Sequence, residues 1–197
     1  AVTNILDLAT LSSASAAVAA CDRAGKPLFV NYLRRWCSEL SELADNLQSG
    51  RLGEVQCVSV RYAKGLVHGG SHALDLLHFF FGDLRVESIL GTVDDGRTED
   101  RTFNGLLRTE DEAPVFLIGS DYRKYSLFEI DITTSGGRVI IDNLGERLRY
   151  YAVRDSEEFP GHFVLHAERK QNIGLFFAMD RAMAGVYDTL SGVGASV

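Results

Sequence analysis

The second half of this chain is a run of short apolar stretches divided by turn residues, and that pattern leaves few folds open. Residues 85–93, 103–109, 114–122, 126–134, 138–143 and 147–153 each read as strands. Asp94-Asp95-Gly96 and Ser135-Gly136-Gly137 supply two of the turns between them. Strands joined so closely pair mostly antiparallel, because a parallel neighbour needs a crossover of about a dozen residues or more.

The first half brings helices to that sheet. Residues 11–24 are rich in alanine, begin at serines able to cap a helix, and stop at Gly25. The apolar run 28–33 predicts a strand. Trp36, Leu40, Leu43 and Leu47 then recur at spacings of four, three and four, which places them on one helix face closed by Gly50 and Gly53. Residues 54–63 alternate as a long strand, and 72–81 form an apolar helix ending at Gly82. Residues 172–190 complete the set, with Phe176, Met179, Met183, Val186 and Leu190 on one stripe; Met179 and Met183 are expected in the core. The expected fold is α+β in two layers: a large, mostly antiparallel open sheet with helices packed on one face.

Composition narrows the function. Twenty basic and 27 acidic residues give a net charge of −7, which argues against nucleic acid as a partner. Cys21, Cys37 and Cys57 are odd in number and form no C-x-x-C, so a reducing, cytoplasmic setting is expected. The first ten residues lack the basic region of a signal peptide. No apolar run approaches the roughly 20 residues that span a bilayer. Nucleotide signatures are also missing: there is neither a G-x-G-x-x-G turn nor a P-loop, and neither G-x-S-x-G nor H-E-x-x-H occurs.

The stretch richest in chemistry runs from Gly65 to His78. Gly69 and Gly70 free the backbone just before a helix, and His72 falls in its first turn. The positive end of the helix dipole there favours neutral imidazole, the form a general base needs. Asp75, three residues on, lies close enough to orient His72. Three readings stay open. His72 and Asp75 cap and pack locally; or His72 is catalytic or binds substrate; or His68, His72 and Asp75 form a metal face, an arrangement that a helix break at Gly69-Gly70 would oppose. His78, among Leu and Phe, reads as a half-buried helix histidine. Arg34 and Arg35, between a strand and a helix, are either a surface pair or a clamp for a carboxylate or phosphate. His162 and His166 lie in a Gly- and charge-bearing segment read as a loop, with His162 a candidate for the substrate site.

The order of these pieces resembles a known family. Tyr32-Leu-Arg-Arg-Trp36, then a helix ending Gly50-Arg-Leu-Gly-Glu-Val55, then a long strand and Gly70-Ser-His-Ala-Leu-Asp-Leu-Leu-His78, looks like the C-terminal domain of the Gfo/Idh/MocA oxidoreductases. The resemblance covers about residues 11–190. It implies a dihydrodipicolinate-reductase-like C-terminal domain in residues 26–197, with residues 1–25 as the linking helix left from a largely absent Rossmann domain. It further implies hydride exchange between NAD or NADP and a sugar, cyclitol or related polyol. His72 matches the family's catalytic histidine, and Asp75 the aspartate that follows it. Arg34 and Arg35 match its Arg–Arg–aromatic element, with Leu33 in place of an asparagine. His68 stands where the family has an aspartate, which makes it a substrate hydrogen-bonder. The family's E-K-P lysine has no counterpart at Ile5-Leu6-Asp7. Strands 114–122 and 126–134 carry apolar residues on both alternations, Val115 and Leu117 with Phe116 and Ile118, and Leu127 opposite Phe128, Ile130 and Ile132, which predicts a homodimer through the open sheet face. The resemblance points the same way, and neither a membrane partner nor a metal is expected. Other readings of the same scaffold are a non-catalytic binding or dimerisation module, and an isomerase or hydrolase.

Because the glycine-rich turn that holds a dinucleotide pyrophosphate is missing, this chain alone is expected not to bind NAD(H) or NADP(H). Calorimetric titration should show no specific heat with either, and a low-micromolar dissociation constant would overturn the expectation.

Overall fold

Alternation along the strands dictates the layers. A computed structural model describes residues 11–191. Strand β1 (Val55–Ala63) turns Val58, Val60 and Tyr62 inward. β4 (Pro114–Ser120) does the same with Val115 and Leu117, and β5 (Phe128–Thr134) with Phe128, Ile130 and Ile132. Val139 and Ile141 of β6 (Gly137–Asp142) and Leu148 of β7 (Arg147–Asp155) extend the same face. Against it lie Leu40, Leu43 and Leu47 of α2 (Ser38–Gln48) and Ala73, Leu76, Leu77 and Phe80 of α3 (Ser71–Phe81). Burying each large side chain contributes about 1.5–3 kcal/mol, so this single interior carries the fold.

With β2 (Arg85–Val93), β3 (Thr102–Arg108) and β8 (Phe163–Asn172), the eight strands run in the order β2-β3-β4-β1-β5-β6-β7-β8. Every neighbouring pair is antiparallel except β1 with β4. The mostly antiparallel two-layer sheet is therefore present. Of the outer elements, α1 (Leu11–Arg23) ends at Gly25, whose φ of +59° continues the chain where a helix cannot. α4 (Leu175–Leu190) is held by Trp36, whose carbonyl accepts a hydrogen bond from Arg181 and whose ring packs on Gly185. No helix is long and apolar enough to cross a membrane among the described residues.

Several expectations give way. Residues 28–33 form no strand: the Tyr32 N–H turns back to the Val30 carbonyl, and a 3-10 turn follows at Leu33–Trp36. The segment around His166 is not a loop but β8, an edge strand exposed on both faces. Its mixed charges hide any alternation and protect the edge from pairing with other chains. The apolar stripe of α4 faces away from the sheet: Met179 and Met183 are exposed, and Ala178 is the buried residue. β5 is apolar on one face only, since Glu129 and Asp131 alternate with its buried residues and Leu127 precedes the strand. Gly69-Gly70 do not break the helix. Residues Gly65–Gly70 form a π-helical turn that runs directly into α3, with Gly70 at φ −67° and ψ −33°. Ile5-Leu6-Asp7, and with them the missing lysine, lie outside the described residues.

Candidate functional site

The end of β1 builds the site. After Ala63 the chain reverses through Lys64 at φ 70° and Gly65 at φ 79°, then enters the π-helical turn. Gly65 is required there: a Cβ would lie 2.1 Å from the Asp100 carboxylate, in a backbone region side chains avoid. Asp100 accepts the Val67 N–H at 2.8 Å and the His68 N–H at 3.0 Å. Thr102 accepts the Gly65 N–H at 2.8 Å and donates to the buried carboxylate of Asp95 at 2.8 Å. Beside them the Tyr62 hydroxyl donates to the Phe103 carbonyl and accepts its N–H, and burial pushes that phenol up to about 12.

This seating brings His72 and His68 to one cleft of about 210 Å³, with Lys64, Arg34, Phe128 and Leu144 in its wall. The His72 ring meets Tyr32 edge-on, centroids 5.5 Å apart. Burial, then the Arg34 charge, then His68 hold its imidazole below the ordinary value. The neutral form is therefore favoured, as expected. The cause differs from a bare helix terminus, because the amides at the start of the turn are already bonded to Asp100.

The two arginines part company. Arg35 turns from the cleft and donates from Nε to Asp75 Oδ1 at 2.7 Å, and from Nη2 to the Asp75 carbonyl at 3.3 Å. Burial pushes the Asp75 carboxyl up despite this partner, and its Oδ2 is buried without a hydrogen bond. Asp75 thus ties α3 to the 3-10 turn, and among the described residues no carboxylate is hydrogen-bonded to His72. Arg34 instead lies over the Phe128 ring at 4.1 Å and donates from Nη2 to the Leu144 carbonyl at 2.9 Å. The β6–β7 turn is shaped around it: Asn143, Leu144 and Gly145 all have positive φ, and a Cβ on Gly145 would stand 2.7 Å from Arg34 Nε.

His162 does not join this group. It sits in the β7–β8 turn against Phe159, while Leu144 lies at the other end of β7, nine residues or about 30 Å away along the strand. His78 closes the C-terminal end of α3, its Nδ1 3.1 Å from the Gly82 carbonyl and 3.4 Å from Asp83. No cluster of three His, Cys, Asp or Glu able to hold a metal occurs among the described residues. Sequence reasoning missed Tyr32, Lys64, Phe128 and Leu144. Lys64-Gly65 at the end of a strand was the one available signal, since a left-handed turn there aims the following helix.

A dinucleotide finds no seat at this junction. The backbone amides that would face a pyrophosphate between β1 and α3 are occupied by the Asp100 carboxylate, whose charge repels such a group. The junction therefore offers no free amides at Val67 and His68 for a pyrophosphate.

The His72 shift fixes the sign of a pH effect. An unfolded chain takes up the proton near the ordinary value, while folded His72 does so only at lower pH. Its contribution to stability is complete above about 6.5 and is lost as pH falls through the folded midpoint. Proton NMR of the His72 ring should give a midpoint below 6.5, and Arg34→Met should raise it. A midpoint at or above 6.5 would contradict the burial described.

No family model matches the sequence, and no curated protein matches it. Solved structures do. A proposed NADPH-dependent oxidoreductase from Desulfitobacterium hafniense superposes with a TM-score of 0.73 at 13% identity, over 95% of this chain and 62% of that one. KijD10, a 3-ketoreductase from Actinomadura kijaniata solved with NADP, gives 0.64 at 18%, over 93% and 59%. An aldose-aldose oxidoreductase from Caulobacter crescentus, complexed with glycerol, gives 0.67 at 15%, over 93% and 60%. The chain spans about three fifths of the length of these proteins, and at such identities the likeness is one of fold. Over more than nine tenths of its length, this chain shares the fold of these oxidoreductase structures.

Proposed function

We propose that this chain is the substrate-binding part of an NAD(P)-dependent oxidoreductase acting on a sugar, cyclitol or related polyol. The observation that carries the reading is His72: a half-buried imidazole held neutral in a small cleft, beside a cation and a second histidine. A neutral imidazole can take the proton of a substrate hydroxyl and return it. Arg34 and His68 line the same cleft and would orient the substrate; Arg35 and Asp75 would act from behind, by fixing the helix that carries His72. The cofactor chemistry, exchange of a hydride, belongs to a longer protein, in keeping with the share of its neighbours that this chain spans. The three cysteines are free, which suits a reducing cytoplasm.

In the complete protein, His72→Asn should lower turnover of an accepted polyol by about 10²–10⁴, the usual loss on removing a general base. Thermal melting should change little, because His72 faces the cleft. Equal turnover with intact melting would mean that His72 is structural.

The same reading includes a homodimer through the face of the sheet opposite α2 and α3. Phe116 and Ile118 of β4 stand on that face beside β1, 41% and 38% exposed in the middle of the sheet. A second copy is the occupant proposed, since a face laid on its own mate closes by two-fold symmetry. Light scattering at micromolar concentration should return twice the chain mass, and Phe116→Glu should return it to one; a wild-type monomer would end the idea.

A further inference from the structure

Charge is distributed unevenly between the surface and the cleft. Ten arginines of this chain, from Arg35 to Arg169, form ion pairs with carboxylates. Arg34 forms none among the described residues, although burial already pulls its guanidinium below the ordinary value. Its Nε is buried with no acceptor. Glu146 acts on it only through space, without a hydrogen bond. Lys64, on the same cleft, also has no carboxylate partner among the described residues, and none of the lining residues is Asp or Glu. In a chain of net charge −7, a cleft that gathers Arg34, Lys64, His68 and His72 without one carboxylate runs against the composition.

A purely structural Arg34 would account for one of its contacts. Its Nη2 bond to the Leu144 carbonyl pins the β6–β7 turn. A neutral donor would do that without the cost of an unpaired, half-buried cation. The Phe128 ring beneath and the left-handed turn beside it hold the guanidinium in place before any ligand arrives. Preorganised cations without counter-charge are how proteins hold carboxylates and phosphates.

We propose that the substrate of this cleft carries an anionic group, a carboxylate or a phosphate, seated on Arg34 with Lys64 at the rim. The proposal rests on the cleft being the substrate site and names the class of polyol it takes: a sugar acid or a sugar phosphate. The anion supplies the counter-charge that the protein withholds, and the polyol end is left beside His72. Arg34 and Lys64 are then specificity-determining residues.

The test is a titration of this chain, followed by NMR of the His72 ring, with sodium D-glucuronate, D-glucose 6-phosphate and D-glucose. At least one anion should bind about ten- to a hundredfold more tightly than glucose, the range for a hydrogen bond to a charged group. Glucuronate alone would identify a carboxylate site, and the sugar phosphate alone a phosphate site. Arg34→Met should remove the preference. Lys64→Met, which keeps an unbranched stem at this partly exposed position, should weaken the anion several-fold more than it weakens glucose. Equal affinity for all three, or a preference that both variants keep, would overturn the proposal. Turnover of a neutral polyol by the complete protein would separate the two readings: with no anion preference it keeps the role of His72 and removes this inference. Anion binding without any turnover does the reverse.

Discussion

One carboxylate sets the position of everything at the cleft. Asp100, carried on the loop before β3, accepts two backbone amides at the start of the π-helical turn, and Arg97 steadies it from the other side. Without it, these first amides of the turn would lose their protein partner. Because the grip is on main chain, it fixes the axis of α3 and with it the height of His72 above the sheet. Gly65 leaves room for the carboxylate, and Gly69 lets the turn lie on the Ala63 carbonyl, where a Cβ would come within 1.8 Å. The glycines that look from the sequence like ligand-facing flexibility are taken up by the protein's own packing.

Arg34 and Arg35 are adjacent in sequence and opposite in use. In a 3-10 turn, neighbouring side chains leave in different directions, about 120° apart. One direction leads to Asp75 and the framework; the other leads to the cleft. Asp75 is thereby committed to Arg35, with a second oxygen left unbonded, and His72 is governed by burial and by the cation beside it. The site is electrostatically simple: positive groups around a neutral imidazole.

The sequence made the sheet legible because its strands alternate and their turns are short. Each central strand has one wet face and one dry face, which is the condition under which a period of two can be read. β8 was hidden because it is exposed on both faces and the charges of Glu168, Arg169 and Lys170 interrupt any alternation, and residues 28–33 looked like a strand because apolar content alone does not supply a neighbour to pair with. Exposure of Met179 and Met183 has the same root: periodicity shows that a helix has an apolar side, not what that side meets. In the cleft, His72, His68 and Arg34 were within reach of motif reasoning. Lys64, Tyr32 and Leu144 were not, since they arrive from a strand end, a loop and a hairpin turn that only the folded backbone brings together.

β1 is the first strand in the chain and sits between two meanders, β2-β3-β4 on one side and β5-β6-β7-β8 on the other. Each meander joins neighbours in sequence and can zip from its own turns. The β1–β4 ladder, by contrast, must bring Val58 to Val115, and closing so long a loop is entropically late. Until β1 is inserted, β4 and β5 each present an unpaired edge with an apolar side. A slot between β4 and β5 takes a strand by its edge bonds, so the β1 of another molecule fits it as well as the chain's own does.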